Sequence, residues 1–153
     1  EIIEKEIKEA IEKNEGFISE FVFDREELPQ VKHFIDWAAS NKVKFLDSER
    51  HIFSKVYFLG GICDFVCEID GEIWLGDIKT GSGIYPEAFA QLAGYQLMFE
   101  EMGVYKSIKG HIVVNLRKDG TFEEKRSISN EDNRDFFLAA LKIYRIQEKL
   151  KGL

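Results

Sequence analysis

Apolar residues recur at helical spacing near both ends of the chain and at strand spacing between them. Ile2, Ile3, Ile7, Ala10 and Ile11 form one stripe among alternating Glu and Lys. This predicts an amphipathic helix over residues 1 to 13 whose charges form a solvated face. Asn14-Glu15-Gly16 ends it, and Phe17 to Phe23 is apolar with no clear period. Asp24 with Glu27 three residues on has a capping-box pattern, and Pro29 suits the first turn of the helix that follows. That helix is expected to run to about Asn41, with Val31, Phe34, Ile35 and Ala38 as its apolar stripe and His33 beside it in a structural role.

Strand character then takes over. Val43 to Phe53 reads as one strand, Ser54-Lys55 as a turn, and Val56 to Leu59 as a short extended piece. Gly60-Gly61 permits an unusual backbone or a close approach. Ile62 to Ile69 and Ile73 to Thr80 are strands joined by Asp70-Gly71, a strong hairpin signal. Opposed residues in such a hairpin have positions of constant sum, so Asp64 falls opposite Asp77. Alternation puts Ile73, Leu75, Asp77 and Lys79 on one face, with Trp74, Gly76 and Ile78 on the other. It likewise groups Ile62, Asp64 and Val66, and sets Cys63 and Cys67 on a common face.

After Gly81-Ser82-Gly83, Pro86 opens a helix that runs to Met102 and stops at Gly103. Gln91 and Tyr95 share one face of it. Ser107 to Leu116 and Thr121 to Ile128 are strands around the Lys118-Asp119-Gly120 turn. Ser129 or Asn130 caps a last amphipathic helix, whose buried side is expected to hold Phe136, Phe137, Ala140, Leu141, Tyr144 and Leu150. The order is helix, helix, three strands, helix, two strands, helix. It predicts one α/β domain with a central mixed β-sheet flanked by α-helices. Residues 1–41 form an N-terminal helical segment, 42–128 the core and 129–153 the C-terminal helix.

Composition narrows the function classes. With 153 residues, 44% of them apolar and thirteen Phe, the chain supports one packed core. No apolar run is long enough to span a membrane, and no basic-then-apolar start points to secretion. Cys63 and Cys67 are too few for a disulfide framework or a four-cysteine metal site, and free thiols suit a reducing, cytoplasmic setting. The net charge of −7 argues against binding nucleic acid by bulk charge. Residues 1 to 27 carry ten acids and four bases, so −6 of that charge lies there and −1 in the remainder.

The candidate chemistry lies between Gly60 and Tyr95. Hard divalent ions such as Mg²⁺ prefer oxygen ligands, commonly one or two carboxylates with water and phosphate oxygens. Asp64 and Asp77 supply two carboxylates across the hairpin, and the Ile78 carbonyl a third oxygen. Lys79, on the Asp77 face, is placed to stabilise charge on a scissile phosphate or hold an attacking water. The order Asp64, then Asp77-Ile78-Lys79-Thr80-Gly81, then Gln91-Leu92-Ala93-Gly94-Tyr95 resembles the PD-(D/E)XK nuclease superfamily, in its RecB-like and phage exonuclease-like branch.

The resemblance covers roughly Phe45 to Met102. It implies a restriction-endonuclease-like core and Mg²⁺- or Mn²⁺-dependent hydrolysis of DNA phosphodiesters in processing, repair, recombination or phage replication. It assigns metal binding to Asp64 and Asp77, catalysis to Lys79, and lining of the site with DNA contact to Gln91 and Tyr95. Glu49 matches an additional site acid or metal ligand. Cys63 stands where the family name places Pro, and only His33 stands in an upstream helix where many members carry a site histidine. Lys55, in the turn before the core, is a candidate phosphate contact, with Lys42, Lys44, Arg50, Lys106 and Lys109 further off. A helicase or recombination protein is a candidate partner. The competing expectation is a catalytically inactive nucleic-acid-binding or assembly module on the same fold.

Overall fold

The computed structural model describes residues 2–18 and 29–153, so the capping-box pattern at Asp24 and Glu27 and most of the apolar run from Phe17 to Phe23 lie outside the described residues. Helices α1 (Ile2–Lys13) and α2 (Pro29–Ser40) precede strands β1 (Lys44–Ser54), β2 (Leu59–Ile69) and β3 (Glu72–Lys79). Helix α3 (Pro86–Met102), strands β4 (Ile108–Leu116) and β5 (Phe122–Ser127), and helix α4 (Asn130–Lys151) complete the chain. The five strands lie in chain order in one sheet. Only β3 and β4 are parallel, because α3 carries the chain back across the sheet between them. The fold is α/β, a mixed sheet flanked by four helices.

The two faces bury different sets. On one side Ile7 of α1 and Phe34, Trp37 and Ala38 of α2 pack against Phe45, Phe65, Cys67, Trp74, Ile112 and Val114. On the other, Ala88, Phe89, Leu92 and Phe99 of α3 cover Ile52, Cys63, Val66, Leu75 and Val113. α4 lies outside α3, and Gly94 makes room for it: a Cβ there would stand 2.4 Å from the Phe137 ring.

A polar chain that starts at the buried His111 and Gln96 and ends at the exposed Glu100 joins these layers. His111 Nε2 is 2.8 Å from Gln96 Oε1, Asn133 Nδ2 is 3.2 Å from His111 Nδ1, and Gln96 Nε2 donates to Glu100 at 2.9 Å. Glu100 in turn pairs with Arg134 of α4 at 3.0 Å. Burial first, then the Arg134 charge, pulls the His111 pKa down to about 4. The ring is therefore neutral, with Nε2–H donating to Gln96 and Nδ1 accepting from Asn133.

Four expectations need correction. Lys55 to Phe58 form a turn, not an extended piece, because Glu101 accepts the Lys55 N–H at 2.7 Å and the Val56 N–H at 3.3 Å and folds the backbone around its carboxylate. Cys63 and Cys67 belong to opposite sides of the sheet. Simple alternation would keep Cys63 with Phe65, so β2 reverses its parity between them, and Val66 lies on the α3 side with Cys63. Among the residues of α1, Glu6 is buried rather than solvated. Finally, α4 buries none of its residues. Its predicted inner positions Phe136, Ala140, Tyr144 and Leu150 are exposed, since the helix meets the body mainly through its partly buried Phe137, Leu138 and Leu141.

Candidate metal centre

The hairpin delivers the two aspartates as the register requires. Asp70 and Gly71 both take positive φ, 52° and 78°, the conformation a two-residue hairpin turn needs. The ladder runs from Ile69↔Glu72 to Phe65↔Gly76, so the next step sets Asp64 against Asp77. Asp64 Oδ2 accepts the Ile78 N–H at 2.8 Å, which fixes the carboxylate over the β3 backbone. The Asp77 carboxyl opposite it acts on its protonation.

The parity reversal in β2 falls at Asp64. In β1 the same level is occupied by Glu49, between the pairs Ser48↔Phe65 and Arg50↔Cys63, and its φ is 48°. A left-handed glutamate inside a strand is uncommon and costs backbone energy. The strain thus sits at the residue whose β2 neighbour is the candidate metal ligand. Asp64 turns into a cavity of about 420 Å³ between the sheet and the first two helices, lined also by Glu4, Gln30, Ile78 and Thr80.

Asp77 is buried, and Lys79 Nζ stands 3.0 Å from its Oδ2. That contact is an ion pair whose geometry makes no hydrogen bond, so Oδ2 is buried without a hydrogen-bond donor among the described residues. On the α3 side Lys79 borders a second cavity, of about 520 Å³, with Tyr85, Gln91, Phe136 and Phe137 on its walls. Gln91 and Tyr95 lie one helical turn apart on α3. Gly61 lies against the Tyr95 ring, where a Cβ would come within 2.6 Å of Cε1. Burial, then the charges of Asp77, Cys63 and Asp64, push the Tyr95 phenol up to about 12, so it acts as a hydrogen-bonding group and not as a base at neutral pH.

Asp64 thus opens into the cavity beside α1 and α2, Lys79 and Gln91 border the cavity beside α3, Asp77 is ion-paired with Lys79, and Tyr95 packs against Gly61. Glu49 and Lys55 do not join them. The Glu49 carboxylate pairs with Lys8 of α1 at 3.6 Å. The Lys55 turn is held by Glu101 at the far end of α3 from Gln91, about 15 Å along the helix axis. Lys109 pairs with Glu72, at the opposite end of β3 from Asp77. His33 stacks on Phe122 of β5 with ring centroids 6.1 Å apart, so it serves the packing.

Two residues at the site were not singled out by spacing. Glu4 faces Asp64 across the cavity, and α1 is set against β1 so that Ser48 Oγ reaches the Glu4 carbonyl at 3.5 Å. Asn115 of β4 pairs in register with Lys79. Its Nδ2 donates to the Gly81 carbonyl at 3.0 Å and tethers the loop after β3.

Two carboxylates on neighbouring strands are oxygen donors of the kind a hard divalent cation takes. Both carboxylates are held together at one point of the sheet, and one buried oxygen lacks a hydrogen-bond donor, which is where a cation adds most. Among the described residues no group of three or more His, Cys, Asp or Glu is gathered for a metal, so water and substrate oxygens would complete the shell. Burial, then the neighbouring Asp77 carboxyl, pushes the Asp64 carboxyl from 3.8 up to about 7. The metal-free fold thus keeps a proton that the unfolded chain releases, and its stability falls as pH rises from about 4 to about 7. A cation bound at Asp64 would displace that proton. Mg²⁺ or Mn²⁺ is expected to raise the melting temperature more at pH 8 than at pH 6, as scanning calorimetry reads directly; an equal rise at both pH values would argue against binding at Asp64.

No family model and no curated protein matches the chain. Fifteen chains among solved structures do. One is the crystal structure of a protein named SSO0001, 17% identical over 81% of this chain and 62% of that one, with a TM-score of 0.39. This chain thus spans less than two thirds of that neighbour's length. Among the described residues, no helix is long and apolar enough to cross a membrane.

Proposed function

We propose that the protein is a Mg²⁺- or Mn²⁺-dependent deoxyribonuclease with a restriction-endonuclease-like core of the PD-(D/E)XK type. The observation that carries this reading is the meeting of Asp64 and Asp77 at one point of the sheet with the Lys79 ammonium 3.0 Å from Asp77. Asp64 and Asp77 would hold the cation, with the Ile78 carbonyl as a further oxygen. When bound, such a cation supplies Lewis acidity toward water and the scissile phosphate.

The chain's own residues do the remainder. Lys79, part exposed, reaches from Asp77 into the cleft beside α3, where its charge meets a phosphate oxygen as negative charge develops. Gln91 presents its amide on the same wall and Tyr95 stands one turn further along α3 against Gly61, and together they would orient the backbone of the nucleic acid. Asn115 holds the Gly81 carbonyl and keeps the end of β3, and so Lys79, in place. A role in DNA processing, repair, recombination or phage replication, in a cytoplasmic setting and beside a helicase or recombination protein, belongs to the same proposal.

The absence of a third protein ligand among the described residues favours one second reading, a nucleic-acid-binding module without catalysis. A cleavage assay separates the two. Linear and closed-circular DNA, single- and double-stranded, are incubated with Mg²⁺ or Mn²⁺, beside Lys79→Ala. Cleavage is expected to require the cation, and Lys79→Ala to slow it by about 100-fold or more. Cutting of closed circles identifies an endonuclease, and a need for ends an exonuclease. Binding without cleavage of any substrate would establish the second reading.

A further inference from the structure

The outer face of α4 carries a regular apolar seam that none of the described residues covers. Phe136, Ala139, Ile143, Ile146 and Leu150 follow one another at spacings of three and four, and all are exposed. This is the a/d pattern of a coiled coil, narrower than the stripe of a helix that packs on its own domain. The inner positions Phe137, Leu138 and Leu141 already meet the body, so the seam is a second, separate face. From residue 142 onward every residue of the chain is exposed. A helical stretch that gains so little from packing is marginal in water without a partner.

Charge says what covers it. The first part of α4 carries Glu131, Asp132 and Asp135 against one base, Arg134. The second part carries Lys142, Arg145, Lys149 and Lys151 against one acid, Glu148. Two copies of α4 laid antiparallel set the acidic half of each on the basic half of the other. A parallel pair sets like on like. Antiparallel pairing about a two-fold axis is also a closed, self-complementary contact that leaves no seam to propagate.

We propose that a second copy of this chain pairs with the first through an antiparallel α4–α4 coiled coil centred between Ala139 and Ile143, which sets Ala139 against Ile143, Phe136 against Ile146 and Glu131 against Lys151. The inference is independent of the nuclease reading. Because Phe136 also lines the cleft beside Lys79, pairing puts that cleft next to the two-fold contact.

Sedimentation velocity on the 153-residue chain tests it. A mass of twice 17.7 kDa is expected at micromolar concentration, and 17.7 kDa for Ile143→Glu with Ile146→Glu, with helical content and melting of the core retained by circular dichroism. Two charge variants fix the orientation. Glu131→Lys with Asp135→Lys makes α4 basic throughout, and Lys142→Glu with Lys149→Glu makes it acidic in both halves. Each is expected to dimerise at least 10-fold more weakly than the parent, and an equimolar mixture to recover pairing. A parent that stays at 17.7 kDa up to 100 µM would overturn the proposal, leaving the seam to another protein or another segment. Charge variants that pair as tightly as the parent would overturn the antiparallel arrangement.

Discussion

Asp77→Asn is expected to abolish cleavage and, at the same time, to make the metal-free protein more stable. Both effects come from one arrangement. Asp64 and Asp77 stand opposite each other in a largely buried place, and each disfavours the charge of the other, so two negative charges cannot both be carried there at low cost. An amide at 77 keeps the size of the side chain, removes one charge and supplies an N–H that Asp64 can accept. About 1 kcal/mol of relief raises the melting temperature of a domain this size by roughly 2–4 °C. The same change removes a carboxylate from the cation and the counter-charge of Lys79, so activity falls by about 100-fold or more. Added Mg²⁺ should narrow the stability gap by stabilising only the parent chain. A merely structural salt bridge would behave in the opposite way, because removing one partner of a buried pair lowers stability. Calorimetry without metal, set beside the cleavage assay, therefore distinguishes the two roles; a melting temperature that falls in Asp77→Asn would assign the pair to the fold.

Such a trade of stability for chemistry marks where the sequence was readable and where it was not. The hairpin was legible because Asp70-Gly71 fits a turn that demands positive φ twice, and the turn then dictates the register that opposes Asp64 and Asp77. The end of α3 was legible for the same kind of reason: Gly103 takes φ 71° and closes the helix by donating to the Glu100 carbonyl. The parity reversal at Asp64 was not, since it depends on a left-handed Glu49 in the neighbouring strand, and no local preference of glutamate announces that. Glu4 was hidden among surface charges, because an amphipathic stripe gives the azimuth of a residue and not what lies at the end of the helix. The α4 stripe was visible, yet periodicity reports that a face is apolar and is silent on whether its cover lies within the chain. His111 and Gln96 were invisible for another reason: each looks like a surface residue until both are buried and pay for each other's hydrogen bonds.

The largest loss of stability is expected from a single methyl group at Gly76. Gly76 is directly opposite Phe65 in the β2–β3 ladder, and the Phe65 ring lies flat across it. An ideal Cβ at position 76 would stand 2.0 Å from Cε2 and Cζ of that ring. The ring has nowhere to go. It is fully buried, 5.5 Å from the Phe45 ring and 6.0 Å from those of Phe34 and Trp37, so its displacement disturbs β1 and α2 together. Overpacking of this kind costs about 3 kcal/mol, the upper end of its usual range, and lowers the melting temperature by roughly 6–12 °C. Gly60→Ala is the matched comparison, because a Cβ there meets only the Ile52 carbonyl at an ordinary 3.8 Å, and it should change the melting temperature little. Gly61→Ala falls between, since the Tyr95 ring it strikes is less deeply packed; its effect should appear more in activity than in melting. A smaller side chain at 65 makes the cause explicit. Phe65→Leu alone is destabilising, but combined with Gly76→Ala it should cost less than the sum of the two, with a coupling of about 1 kcal/mol or more in a double-mutant cycle. Additive losses would mean that the methyl group acts through the β3 backbone, and in that case Asp77, the next residue, should shift with it and the metal-induced rise in melting temperature should disappear.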